Sequence, residues 1–321
     1  MSFHSHPSSN VTQLASPLTS KKALILSEQL ERLRVTLSMD EHQWAQILDV
    51  SADDYSDIRR NRKSVSIIAL ARVADHLQLT LDGIMNNQID YCIVAARQSG
   101  NVHLLPARYQ VGARSRQRSS LNLLNATEEF LGWRARAMVM RHLQVTEATF
   151  SNPDDLINLR FNTDLCEYIN KNYSGSHLFY HMGAYSVISN MNSPFAKFMS
   201  QMNSLQELYQ FYVEEMVVKH WEQNYNYRIT NMTSTSCRIE STPNNDVAVL
   251  LGVRNPGSHL VCQTKLGVSA SVPGYLGLPF ANVRETSCVH LGDSCCVQEI
   301  DFELAAHQLA RTEKNKAATL S

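Results

Sequence analysis

The sequence predicts an α+β protein: an N-terminal all-α bundle, a helical connector, and a C-terminal α+β domain with an antiparallel sheet. Three observations predict it. Apolar residues recur at helical spacing in short segments from Lys21 to about Asn86, and again from Leu156 to Val218. Beyond Val218 the period falls to two, with turns of Pro, Asn and Gly between the segments. With 321 residues, 44% apolar and 18% charged, the chain is long enough to bury more than one core.

Residues 1–20 are rich in Ser, Pro, Thr and His without apolar periodicity, which predicts a disordered arm. The arm has no basic start or apolar stretch of the signal-peptide kind, and no later apolar run approaches the roughly 20 residues of a membrane helix. A cytoplasmic protein without a membrane partner is the expectation. Residues 21–90 read as five short helices, with Leu26, Leu30, Leu33 and Leu37 on the first, then Trp44, Ile47 and Leu48, Tyr55 and Ile58, Ile68 to Leu77, and Leu81 and Ile84. Asp40 and Ser51 stand where helix N-caps belong. Residues 91–145 carry eight arginines against two acids and predict a basic connector: a hairpin-like start (CIVAARQSGNVHLLP) and then two helices. Residues 146–304 form the rear domain, with helices broken near Tyr173 to Ser176 and at Pro194, then strands at YRITNMTSTSCRIES, DVAVLLGV and FANVRETS. Residues 305–321 read as a fraying helix and tail.

In the front domain the order of helix, WAQILDVS turn, helix and basic RRNRK resembles the Cro and phage-repressor class of helix-turn-helix domains over residues 24–85. Ala45 falls where the two motif helices approach closely, Val50 and Ile58 fall in the core, and Asn61 replaces a glycine at a position of positive φ. The resemblance implies DNA as a partner, with the recognition helix in the major groove. Ser51 would open that helix, Ala52, Asp53, Ser56 and Asp57 would face base edges, and Arg59, Arg60, Arg62 and Lys63 would lie near phosphate. Charge pulls the other way, since residues 21–90 hold nine Lys or Arg against eleven Asp or Glu. Two readings therefore stand. Either the module binds DNA, with the following arginines adding phosphate contacts, or it serves dimerisation or docking, and the arginines are solvated or form salt bridges.

Three of the seven cysteines lie between Glu285 and Cys296. An odd count in a reducing compartment asks for metal or redox chemistry before disulfides. Cys262 is followed by Glu285 after 23 residues, Cys288 three further on and Cys296 eight beyond. Three thiolates and a carboxylate make a closed four-donor shell of the kind that suits structural zinc. Cys295, His290 and His259 are possible substitute ligands, and a set of buried free thiols is the alternative. Within CQTKLGVSASVPGYLGLPFANVRETSCVHLGDSCCVQEI this pattern resembles the 4-vinyl reductase domain, the sensor fold of phenol- and toluene-responsive bacterial activators. The resemblance is dense over residues 258–302, and it implies zinc on Cys262, Glu285, Cys288 and Cys296.

The same resemblance implies a small, largely apolar or aromatic effector. His177, Tyr180, His181, Tyr212, Trp221 and Tyr225, from two aromatic-rich stretches, are candidates to hold it, with core packing as the alternative for each. The segment from Phe130 to Ile169 is also similar to ligand domains of some arabinose-regulator-type factors. No phosphate-binding loop, nucleophile elbow, H-E-x-x-H or dinucleotide fingerprint occurs, so no catalysis is expected. The sum is a homodimeric one-component transcription regulator, or else a carrier or sensor that does not bind DNA.

Overall fold

Each short helix of the front unit starts on a side-chain cap. The computed structural model describes residues 17–173 and 176–320, and the chain divides after Gly100 into two units. The front unit holds α1 (Pro17–Thr36), α2 (Glu41–Leu48), α3 (Ala52–Arg59), α4 (Ile67–His76), α5 (Leu81–Met85) and α6 (Tyr91–Gln98). Asp40 and Gln43 form a reciprocal capping box, with Gln43 N donating to Asp40 Oδ1 at 2.7 Å and Asp40 N donating to Gln43 Oε1 at 3.0 Å. Ser51, Ser66, Thr80 and Asp90 cap the next four helices through their side-chain oxygens. Leu30, Leu33, Trp44, Leu48, Tyr55, Val73 and Ile84 fill the core, each such side chain contributing about 1.5–3 kcal/mol.

Asn61, which follows α3, has φ 56°, the positive φ expected at that position. Ile58 is buried, Val50 is half-buried and packs against the core, and Ile68 of the apolar repeat is exposed. Most of the predicted disordered arm, residues 1–16, lies outside the described residues, but Pro17 already begins α1. The hairpin expected from Cys92 onward is instead a helix over its first half. Asp90 accepts a hydrogen bond from Ile93 N at 3.2 Å, and Ile93 and Val94 are buried, so the backbone closes on itself without a partner strand.

The rear unit is α+β. In chain order it has α7 (Ala107–Gln110), β1 (Ser115–Arg116), α8 (Gln117–Leu131), α9 (Trp133–Leu143), β2 (Leu156–Ile157), α10 (Arg160–Tyr173), α11 (Ser176–Ala184), α12 (Ser186–Asn190), α13 (Pro194–Met199) and α14 (Leu205–Gln210). A π-helical segment, Phe211–Trp221, continues α14. Then come β3 (Tyr225–Met232), β4 (Ser236–Pro243), α15 (Asn245–Leu251), α16 (His259–Ser271), β5 (Asn282–Ser287), β6 (Cys296–Asp301) and α17 (Glu303–Leu320). The four longer strands form one antiparallel sheet in the order β3-β4-β6-β5, and β1 pairs with β2. The segment DVAVLLGV, expected as a strand, is α15: Asn244 caps its start and Gly252, at φ 64°, ends it.

The expected connector divides, with residues 91–100 in the front unit and residues 101–145 in this one. Leu105, Tyr109, Leu123, Leu124, Val139 and Leu143 pack into the same core as Phe161, Leu165 and Cys262. Its arginines hold that core's periphery together. Arg118 pairs with Asp154 at 2.9 Å, Arg136 with Glu147 at 2.8 Å and Glu128 at 3.3 Å, and Arg116 Nε donates to the His220 carbonyl at 3.1 Å. Among the described residues no helix is long and apolar enough to cross a membrane.

Candidate metal centre and ligand cavity

Cys262, Glu285, Cys288 and Cys296 each bring one ligand atom into a group whose members all lie within 4.8 Å of one another. Three elements supply them. Cys262 lies in the first turn of α16, which Ser258 caps. Glu285 belongs to β5, Cys288 follows that strand, and Cys296 begins β6.

In a regular strand, residues three apart point to opposite faces. The β5–β6 register slips between Glu285 and Ser287, where two steps on β5 oppose one on β6. This bulge restores a common face, so that the E-x-x-C spacing delivers both side chains to one point. Gly292, at φ 105°, then turns the chain, and Asp293 Oδ2 fixes the turn by accepting from Cys288 N at 2.7 Å.

The donor set fits a thiophilic divalent cation. The three thiols are buried, and the sulfurs of Cys262 and Cys296 are 4.0 Å apart. Two sulfurs about 2.3 Å from one tetrahedral zinc would be about 3.8 Å apart. Packed this closely, the thiols cannot all ionise without a cation. Hydrogen bonds from the Cys262 and Cys288 thiols hold Cys296 far below the usual thiol range, helped by the Val289 N–H, while the same contacts and burial push Cys262 far above it. Burial pushes the Glu285 carboxyl up to about 7. A dication would reverse these upward shifts by favouring the charged form of every donor.

Further polar groups surround the four donors. Gln263 Nε2 donates to Glu285 Oε2 at 3.3 Å, and His259 Nδ1 lies 3.6 Å from both Glu285 Oε2 and Cys288 Sγ. His259 is therefore the substitute donor nearest the cluster. His290 is turned to the Tyr225 hydroxyl, 3.1 Å away, and the Cys295 thiol is outside the group.

On the same helix, α16, a second feature begins. Val261, Thr264, Lys265 and Val268 help line an apolar cavity of about 120 Å³, with Tyr212, Val217 and Trp221 of the π-helical segment opposite. In a π-helix the hydrogen bond spans five residues, as from Glu222 N to Val217 O at 2.9 Å, so residues four or five apart share a face. Tyr212, Val217 and Trp221 have that spacing. Lys265 is the one charge on α16. Its ammonium donates to the Tyr227 hydroxyl at 2.8 Å, lies 3.7 Å from Glu222 and sits 4.0 Å from the centre of the Tyr225 ring. Burial works against that charge, but Glu222 and the neighbouring phenols and thiols outweigh it and raise the pKa. Ser186 Oγ, also on the lining, is buried with no hydrogen-bond partner among the described residues.

Of the six residues expected to hold an effector, Tyr212 and Trp221 line this cavity. The other four do not. His177 and Tyr180 border a separate polar surface groove and His181 is exposed, because α11 turns Met182 and Gly183 toward the cavity instead. Tyr225 is buried and donates to the Pro256 carbonyl, as a core tyrosine does. Lys265, Glu222 and Ser186 escape the sequence reading. The signal for Lys265 is a single cation in the otherwise uncharged run from His259 to Ser271.

The placement of α16 depends on two glycines. A Cβ on Gly183 would lie 1.9 Å from the Thr264 carbonyl oxygen, and one on Gly267 would lie 1.9 Å from that of Tyr180, so the backbones of α11 and α16 touch. Gly267→Ala must push the helices apart, and a loss of at least about 2 kcal/mol in the unfolding free energy of the rear unit is expected by chemical denaturation.

On α3, Ser51 Oγ accepts from Asp54 N at 3.0 Å, so this hydroxyl is engaged as the cap. Ala52 and Asp53 are exposed, and Ser56 and Asp57 half-exposed. Much of the expected phosphate-facing charge is already paired: Arg59 with Glu41, Lys63 with Asp54 at 2.6 Å and Arg62 with Asp57 at 4.0 Å. Arg60 makes no ion pair among the described residues.

No protein-family model matches the chain, and no curated protein matches it. Among solved structures it is similar to an Fe(II) unliganded H-NOX protein from K. algicida, at 7% identity and a TM-score of 0.42 over 58% of this chain and 95% of that one. An H-NOX protein from S. oneidensis in the Fe(II)NO ligation state gives 7% identity and a TM-score of 0.44, covering 58% of this chain and 98% of that chain. Likenesses this faint establish no shared chemistry.

Proposed function

We propose that this chain is a one-component transcription regulator: the front unit binds DNA, and the rear unit, stapled by a structural zinc, senses a small, largely apolar effector. The observation that carries the proposal is that α16 places Cys262 in a buried donor group of three thiols and one carboxyl, and Lys265 and Val268 on an apolar cavity. A closed shell of four protein donors leaves no position for an activated water, so zinc here would neutralise the donors and staple three elements without catalytic work. A cavity of about 120 Å³ suits a molecule of one ring, since an engineered apolar cavity of about 150 Å³ holds benzene. The sequence resemblance to 4-vinyl reductase-type sensors and to Cro-type DNA-binding domains supports both halves.

A second reading keeps the front unit as a docking or dimerisation module of an effector carrier or sensor. The ion pairs of Arg59, Arg62 and Lys63 favour it, because they neutralise the cations meant for phosphate. Fluorescence anisotropy with random duplex DNA across a salt series separates the two. If the front unit binds DNA, Arg60→Ala weakens binding to all sequences and lowers the salt slope by about 1. Absence of binding by the full chain at low salt, with and without added aromatic effectors, would establish the second reading.

A further inference from the structure

Trp133 is 66% exposed, a position large aromatics seldom occupy without a partner. It follows Gly132, whose φ of 87° makes the corner between α8 and α9. Phe130, one turn earlier, is 44% exposed and stands edge-on to Tyr185 with ring centroids 5.9 Å apart. α12 lies alongside α8: Asn125 Nδ2 donates to Ser189 Oγ at 3.0 Å, as Phe130 meets Tyr185. The apolar surface continues along α12 with Ile188 at 59% exposure and Met191 at 48% just beyond it. Scattered exposed apolar side chains need no explanation, but a grouped set of aromatic and sulfur-bearing ones marks an interaction surface.

Charge indicates what covers it. Glu129 and Arg134 flank the Phe130–Trp133 corner and both are exposed. Among the described residues Glu129 makes no ion pair, and Arg134 lies over the Trp133 ring, 5.3 Å from its centre, without a carboxylate. The neighbouring Glu128 is different, being engaged by Arg136 at 3.3 Å. One acid and one base on either side of an apolar centre complement their own image, because a two-fold contact makes residue i meet j and j meet i. A nucleic acid or an anionic membrane would call for a surplus of cations, which this face lacks.

We propose that the α8–α12 face is where a second copy of this chain docks, with Phe130 and Trp133 at the centre and Glu129 opposite the partner's Arg134 at the rim. This rests on neither the metal nor the DNA reading.

Sedimentation velocity of the full chain over a concentration series tests it. Wild type sediments as a dimer at high concentration, and Trp133→Asp raises the dissociation constant at least about 30-fold, as loss of a central aromatic anchor does. Val249→Asp, at an apolar residue 82% exposed on α15, leaves it unchanged. Glu129→Arg weakens the dimer and keeps the test open should Trp133→Asp fail to fold, and adding Arg134→Glu restores it. A wild type that stays monomeric, a Val249→Asp variant that dissociates as readily as Trp133→Asp, or a dimer indifferent to Trp133→Asp and Glu129→Arg overturns the proposal.

Discussion

Cys288→Ala is expected to empty the metal centre and abolish the cooperative melting of the rear unit, while the front unit keeps its own transition. Cys288 is buried at the meeting point of β5, β6 and α16, and its loss leaves two thiols and a carboxyl, one donor short of a tetrahedral shell and with one sulfur fewer to bind a thiophilic ion. A structural zinc contributes on the order of 10 kcal/mol to folding, as much as the whole net stability of an ordinary domain. Scanning calorimetry with elemental analysis of the same sample reads both effects. Cys92→Ala serves as the control, since Cys92 is exposed and apart from the cluster. A Cys288→Ala protein that keeps its metal, or melts with the wild type, contradicts the assignment.

Lys265→Met should destabilise the rear unit by about 3 kcal/mol, because it leaves the largely buried Glu222 carboxylate without its ammonium neighbour. Removing both charges behaves differently. In the double variant Lys265→Met with Glu222→Gln, most of the loss is recovered, since a buried pair contributes little net stability while a buried orphan charge is strongly unfavourable. Urea unfolding of the two single variants and the double variant closes the cycle. Additive losses would mean that Lys265 and Glu222 do not interact across the cavity wall.

The candidate metal-binding cluster is legible in the sequence because its chemistry lies in residue types and its geometry in short spacings. Glu285, Cys288 and Cys296 sit on one hairpin, and only Cys262 comes from afar. What spacing does not give is the β-bulge that lets residues 285 and 288 share a face. The cavity is harder to read. Its wall includes a π-helical segment whose period differs from that of an α-helix, so Tyr212 and Trp221 stand out by their aromatic character and Val217 does not. The residues on α11 mislead for a related reason: His177, Tyr180 and His181 share its outer face, while small Gly183 faces inward. DVAVLLGV alternates like a strand, but an Asn cap and a Gly stop outweigh the β-branched residues between them. The arginines between 101 and 145 look like a partner surface because sequence shows charge without showing the carboxylates and carbonyls of the same unit that face it.

X-ray absorption at the zinc edge, on protein purified without added metal, tests the central claim most directly. One zinc per chain, with three sulfurs at about 2.3 Å and one oxygen at about 2.0–2.2 Å, is the predicted result. A metal-free protein, a shell of four sulfurs, or one completed by water in place of Glu285 would contradict it.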